Sequence, residues 1–254
     1  MASAKDIIVK PVSSQVAREF VKKYHYSGKV VNSQLHLGCF LNGVLGGVMQ
    51  FGPSLDKRKI QGLVRNTGWN DFIELNRMAF SDLLPKNAES RCISVAMRLI
   101  KKYYPNIKWV ISFADGCQCG DGTIYRASGF KLTGISKNNT IYKNDCGESV
   151  TNIGICSGGY KGKKYSTFSF FLREHPEFKP VAGFMLRYIY FIDKSKEKDL
   201  TVPVMSFTMI DEMNARMYKG VKGANASIVQ EKNGIVPDAD GGVIPTCSHQ
   251  DSQV

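Results

Sequence analysis

The sequence predicts an α/β (α+β) fold built around one central sheet. Two observations carry that class. Apolar runs of strand length alternate with stretches of helical periodicity, in the order β-α-β-β-β-α-β-α-β followed by one late strand. An early hairpin and a later helical crossover occur in the same chain, and elements in that order share one sheet. A length of 254 residues is ample for a sizeable core.

Taken in order, Lys5–Val12 reads as a first strand through Ile7, Ile8 and Val9. Ser13 or Ser14 can cap a helix in which Val16, Ala17, Phe20, Val21 and Tyr24 recur at helical spacing. Gly28 breaks it after His25-Tyr26-Ser27. Leu35–Phe51 reads as a hairpin turning at Asn42-Gly43, and Gly46-Gly47 in its return strand marks a bulge or a close backbone approach. Residues 52–70 suit an exposed loop. Phe72–Phe80 is a third long strand. Strand parity sets Glu74, Asn76 and Met78 on one face and Leu75, Arg77 and Ala79 on the other.

Asn87 can cap a helix over Ala88–Tyr104 with a stripe of Cys92, Val95, Ala96, Leu99, Ile100 and Tyr103. Lys101 and Lys102 suit its C-terminal dipole, and Pro105 follows its end. Trp109–Phe130 then organises the chain. Its strand carries Val110, Ile111 and Phe113 and ends on Asp115, a glycine-rich turn spans 116–122, and a short helix carries Tyr125. A carboxylate at a strand's C-terminal end, followed by glycines that admit another molecule, marks a site candidate. The alternative is a buried turn with Asp115 as a cap. Residues 130–134 and 140–142 read as short strands, 147–180 as irregular, and Ala182–Asp193 as the late strand. The domain expectation is a catalytic domain over 1–193, an extension packed on it over 194–222, and a disordered tail over 223–254, where large apolar residues become few.

The formal net charge is +12. Two lysines against four acids follow Val221, so residues 1–220 carry about +14. That balance suits a polyanionic partner such as nucleic acid, or an anionic cofactor. Met1–Lys10 lacks the apolar core of a signal peptide, and no run approaches the ~18 apolar residues of a membrane span. Seven irregularly spaced cysteines read as free thiols of a reducing, cytoplasmic compartment. Cys117 and Cys119 lack the second pair that a structural zinc site needs.

Several polar groups carry chemistry. His25 beside Tyr26 can supply a base, an acid or a metal ligand, or be a surface histidine with a packed tyrosine. Glu74 and Arg77, on an otherwise apolar strand, either pair structurally or line a cleft. Ser90 and Arg91 open the main helix, where free amides favour an anion, and ordinary capping is the alternative. Tyr26 and Asp115 offer hard oxygen ligands and His25 a nitrogen, a set suited to iron if they meet.

The stretches YHYSG (24–28), ELNRMAF (74–80), NAESR (87–91), FADGCQCGDGTIYRASGF (113–130), GFMLRYIYFID (183–193) and MYKG (217–220) together resemble the Mom family of phage DNA-adenine modification proteins. The resemblance covers about residues 1–220. It implies a divergent Gcn5-related acyltransferase-like fold, a mixed sheet whose central strands splay to admit a donor. It implies conversion of adenine N6 in duplex DNA to a carbamoylmethyl derivative that shields phage DNA from host restriction. The implied active-site set is His25, Tyr26, Arg77, Ser90, Asp115 and Tyr125, with iron at Tyr26 and Asp115; our own expectation sets Arg77, Ser90 and Arg91 toward the donor. Ordinary members of the wider fold carry a glycine-rich pyrophosphate loop before the main helix, and Pro85–Arg91 contains no glycine. The donor therefore stays open between acyl-coenzyme A and another activated group. The rival expectation is a Gcn5-related N-acyltransferase acting on a protein or small-molecule amine.

Overall fold

The structure, a computed structural model, describes residues 2–117, 119–218 and 221–222. Its main sheet is built from β1 (Ile8–Pro11), β2 (Leu35–Leu41), β3 (Val44–Gly52), β4 (Phe72–Phe80), β5 (Trp109–Asp115), β6 (Lys131–Lys137) and a late strand, β10 (Phe184–Phe191). The helices α1 (Ser14–Tyr24), α2 (Lys57–Gln61), α3 (Ala88–Tyr103) and α4 (Thr123–Ala127) lie between these strands. Strand order is β1-β2-β3-β4-β5-β10-β6. Neighbours are antiparallel except β4 and β5, which are parallel, so the sheet is mixed as expected.

The parallel pair is short. It joins Phe72–Glu74 to Trp109–Ile111 and stops, while β4 runs on to Phe80 and β5 to Asp115. The sheet therefore splays at its centre. Ser112 sits just past the last pair, and its hydroxyl reaches back to donate to the Leu75 carbonyl at 3.3 Å.

Two bulges shape the strands before the splay. In the hairpin, Cys39 faces Gly47 and Phe40 faces Leu45, leaving Gly46 as the extra residue. A Cβ on Gly46 would come within 2.7 Å of Leu84, so the sequence signal marked both a bulge and a close approach. Between β3 and β4, Gln50 faces Arg77 and Phe51 faces Leu75, so Asn76 is extra. This second bulge corrects the parity expected of β4. Ile73, Leu75, Met78 and Phe80 share the α3 side, whereas Phe72 and Ala79 pack on the opposite side. Glu74 and Arg77 consequently share one face instead of pointing apart.

The faces are covered by different elements. Ser13 accepts from the Val16 N–H at 3.3 Å and starts α1, a cap worth about 1 kcal/mol. Ala17, Phe20 and Val21 of α1 then bury against Val48 and Ala79. On the other face α3 buries Cys92, Ile93, Ala96, Met97 and Ile100 against the main core. That stripe is rotated from the expected one: Met97 is inside and Tyr103 is 61% exposed. Asn87 precedes α3 in the left-handed region (φ 67°) and makes no side-chain cap, which corrects its expected capping role.

Residues 52–70 are more ordered than a loop, because Leu63 and Val64 are buried with Phe72, Trp109 and Ile111 and hold α2 on the sheet. Residues 147–180 are not irregular either. They supply β8 (Ser149–Thr151), α5 (Asn152–Gly158), α6 (Phe168–Glu174) and β9 (Lys179–Pro180), which with β7 (Ile141–Lys143) form a small module in strand order β8-β7-β9. Leu200 and Val202 pack against the Trp109 cluster, and Ile210 and Ala215 lie in the main core. The tail expected over 223–254 lies outside the described residues. Cys39, Cys92, Cys117, Cys119 and Cys156 are free thiols. Among the described residues no helix is long and apolar enough to cross a membrane.

Candidate active site

The site lies where β4 and β5 part. His25 is the first residue past α1, and its N–H still donates to the Val21 carbonyl. The chain then turns at Gly28, which adopts φ 56° and donates to the His25 carbonyl at 2.8 Å. The turn fixes the imidazole. Ser27 N–H donates to His25 Nδ1 at 3.1 Å, and the Ser27 hydroxyl lies 2.8 Å from the same nitrogen. A backbone N–H can only donate, so Nδ1 carries the lone pair and neutral His25 presents Nε2–H. Burial, then the Arg77 charge, pushes its pKa down to about 4. At neutral pH His25 is therefore a hydrogen-bond donor from Nε2.

The Tyr26 ring packs on His25 with centroids 4.2 Å apart. The ring is half-exposed, yet burial around its hydroxyl, followed by Cys119 and Asp115, raises its pKa well above the ordinary phenol value. Arg77 opposes the shift and Tyr125 adds to it. Tyr26 thus feels groups from three elements: Arg77 of β4, Asp115 and Cys119 from the end of β5 and its turn, and Tyr125 of α4.

Arg77 anchors this arrangement. Its Nε donates to the Lys29 carbonyl at 3.1 Å and Nη1 to the Asn76 carbonyl at 2.7 Å. The guanidinium ties the segment after α1 to the β4 bulge.

Asp115 ends β5, and its Oδ1 accepts from the Cys117 N–H at 3.0 Å. The turn behind it is clamped internally. A Cβ on Gly183 would lie 2.2 Å from Cys117 Sγ, and one on Gly122 (φ 79°) would lie 2.5 Å from the Tyr188 ring. At Gly122, then, the group approaching the backbone is the protein's own tyrosine, not a second molecule. Tyr125 is buried against Phe130 and Tyr188. Burial pushes its phenol up to about 12, opposed by the Ser112 hydroxyl.

Ser90 and Arg91 occupy the first turn of α3, on the other side of the sheet. Ser90 Oγ donates to the Asn87 carbonyl, and the Ser90 carbonyl accepts from Ser128 at the end of α4. Arg91 Nε is buried without a hydrogen-bond partner. No contact described joins this pair to Arg77, whose Nε and Nη1 donate to the Lys29 and Asn76 carbonyls.

Glu74 is the residue that sequence reasoning leaves undecided and the structure places. It is half-buried on the Arg77 face at the last β4–β5 pair. Burial raises its pKa, while Ser54, Asn76 and Arg77 pull it down. Asn76 Oδ1 beside it is buried and accepts no hydrogen bond within the protein. A lone acid on an apolar strand was the available signal; nothing in the spacing marks Cys119. A cavity of about 350 Å³ lies elsewhere, between Gly52, Phe72 and Tyr104, and is lined by none of the site residues.

Iron would find two oxygen donors here, Tyr26 and Asp115, with the Cys119 sulfur nearby. His25 Nδ1 is already engaged by Ser27. Among the described residues no group of three or more His, Cys, Asp or Glu could hold a metal.

The Mom protein family model matches residues 6–209. The chain belongs to the Mom family. A relative from Escherichia phage Mu, named Methylcarbamoylase mom, is 38% identical over 203 residues, covering 78% of this chain and 80% of that protein. Solved structures with a similar course include IAA acetyltransferase from Bacillus cereus (TM-score 0.42, 10% identity, covering 73% of this chain and 99% of that one). Another is the ribosomal-protein-S18-alanine N-acetyltransferase from Escherichia coli (TM-score 0.40, 9% identity, covering 73% and 94%). At that level of likeness neither assigns a substrate or cofactor to a Mom-family chain.

Proposed function

We propose that this chain converts the N6 amine of adenine in duplex DNA to a carbamoylmethyl derivative and thereby shields phage DNA from host restriction. The observation that carries the proposal is the convergence of His25, Tyr26, Arg77, Asp115 and Tyr125 at the splay of a Mom-family chain. The charge of about +14 on residues 1–220 supports a polyanionic substrate.

The chemistry follows from these groups. Adenine N6 is a weak nucleophile, because its lone pair is delocalised into the ring. It must bond to the methylene carbon of an activated carbamoylmethyl donor as the leaving group departs with the bonding pair. The N6 proton then passes to a carboxylate, which we assign to Asp115. Nε2–H of His25 and the protonated phenols of Tyr26 and Tyr125 are donors, suited to the adenine ring nitrogens or to negative charge on the leaving group. Ser90 and the unpartnered Nε of Arg91 approach from the α3 side and suit an anionic donor molecule. Arg77, expected toward the donor, also holds the His25–Lys29 turn through its bond to the Lys29 carbonyl. If iron is held, Tyr26 and Asp115 hold it, and it supplies Lewis-acid polarisation.

The test is mass spectrometry of nucleosides from the DNA of cells expressing this chain. An adenosine carrying a carbamoylmethyl mass increment is the expected result. Unchanged adenosine in DNA, with an acylated protein or small amine instead, would transfer the site to the rival N-acyltransferase reading.

A further inference from the structure

Leu55 is 81% exposed, the largest figure among the exposed large hydrophobic side chains. Single exposed leucines are common on protein surfaces and need no explanation. The surroundings of Leu55 are not common. Its neighbour Ser54 is buried and turned toward Glu74 at the site. The Pro53 carbonyl accepts from Asn76 Nδ2 at 3.2 Å, which pins the start of the turn to the β4 bulge. Asp56 caps α2, accepting from the Lys59 N–H at 3.3 Å. Ile60, Leu63 and Val64 then pack on Phe72 and Trp109. Leu55 therefore stands out from a turn fixed at both ends, one residue from the site.

The charge around it is one-sided. Between Pro53 and Asn70 there are four basic residues, Lys57, Arg58, Lys59 and Arg65, against the single acid Asp56. Arg58, Lys59 and Arg65 are exposed, and Lys57 Nζ lies over the half-exposed Trp69 ring at 4.6 Å from its centroid. A rigid apolar tip among exposed cations has the chemistry of a duplex DNA surface. The cations contact phosphates, and the tip enters a base step.

We propose that Leu55 is the wedge that fills the base stack when the target adenine leaves it, with α2 and the turn before it forming the surface that grips the duplex. This rests on the DNA-modifying reading above. N6 is buried in the stack, and extruding the base costs a few kcal/mol. A side chain that occupies the vacated step offsets part of that cost.

The experiment uses two duplexes that differ only at one adenine modified by the wild-type protein. In one it pairs with thymine, and in the other it faces an abasic site, so that extrusion is already cheap. Leu55→Ala should lower modification of the paired adenine by about tenfold or more, and of the abasic-facing adenine by less than about threefold. Leu55→Met should restore most of the loss. Equal losses on both duplexes, or no loss on either, would overturn the wedge while leaving the DNA-modifying activity of the wild type intact. A wild-type protein that modifies neither duplex would overturn the DNA reading itself, and the wedge with it.

Discussion

Charged and hydroxyl side chains gather where the central sheet opens, whereas the three-stranded module between β6 and β10 closes over aromatic rings. In the module Phe171 is fully buried, with its ring within 4.7–5.6 Å of His175, Tyr165, Tyr160, Phe178 and Phe168. Its polar groups pair with one another: Tyr160 with Glu148, Tyr165 with His175, and Lys163 with Glu174. At the splay the opposite holds. Gln50 Oε1 on β3 and Asn76 Oδ1 on β4 are buried without a partner, and no such atom among the described residues lies in the module. Each costs about 1–3 kcal/mol if it stays unsatisfied. One region is satisfied internally and stable. The other leaves donors and acceptors for something that arrives.

The sharpest way to break that comparison is at Asp115. Asp115→Ala should leave the fold intact and reduce modified adenine by about a hundredfold or more, in the range typical of a lost proton acceptor. If Tyr26 and Asp115 hold iron, Asp115→Ala and Tyr26→Phe should also lower bound iron in metal analysis. Full activity in Asp115→Ala would reduce the residue to an organiser of the turn.

The module should fail in the other way. Phe171→Ala should cost about 3–5 kcal/mol of stability. Hydrogen exchange should rise over residues 141–180 and leave β3 and β4 protected. A loss of modification at temperatures where the module is still folded would make it part of the site.

Arg77→Lys sharpens the contrast within the sheet. It keeps the charge but loses the fork that joins Lys29 to Asn76. Modification should fall by about tenfold, near the worth of one charge-assisted hydrogen bond, with DNA affinity close to wild type. A fall in DNA affinity with a flattened salt dependence would place Arg77 on phosphate instead, and a large drop in melting temperature alone would make it structural.

The smallest effect concerns pH. His25 is neutral in the folded protein down to about pH 4, against an ordinary value of 6.5. Between those values the unfolded chain binds more protons, so folded stability falls as pH drops from 6.5 to about 4. His25→Gln should flatten that part of the pH dependence of the urea midpoint. Superimposable curves for the two proteins would show that the imidazole is not held neutral by the Ser27 turn.

Much of the fold was legible in the chain because its signals are local. Ser13 caps α1, Asn42-Gly43 turns the hairpin, and Gly46 marks a bulge, each through preferences set within a few residues. The family motifs likewise pointed to His25, Tyr26, Arg77, Asp115 and Tyr125. Residues 147–180 were not legible, because their core assembles aromatic side chains from β7, α6 and the loops beside them, none long enough to show a period. The face shared by Glu74 and Arg77 was hidden for a related reason. Strand parity is a local rule, and the extra residue at Asn76 exists only because β3 pairs with β4 in that register. Tertiary structure alone also decided what Arg77 bonds to. Its guanidinium reaches a carbonyl 48 positions earlier in the chain, and a contact at that separation follows from how the elements pack, not from any preference of the residues between.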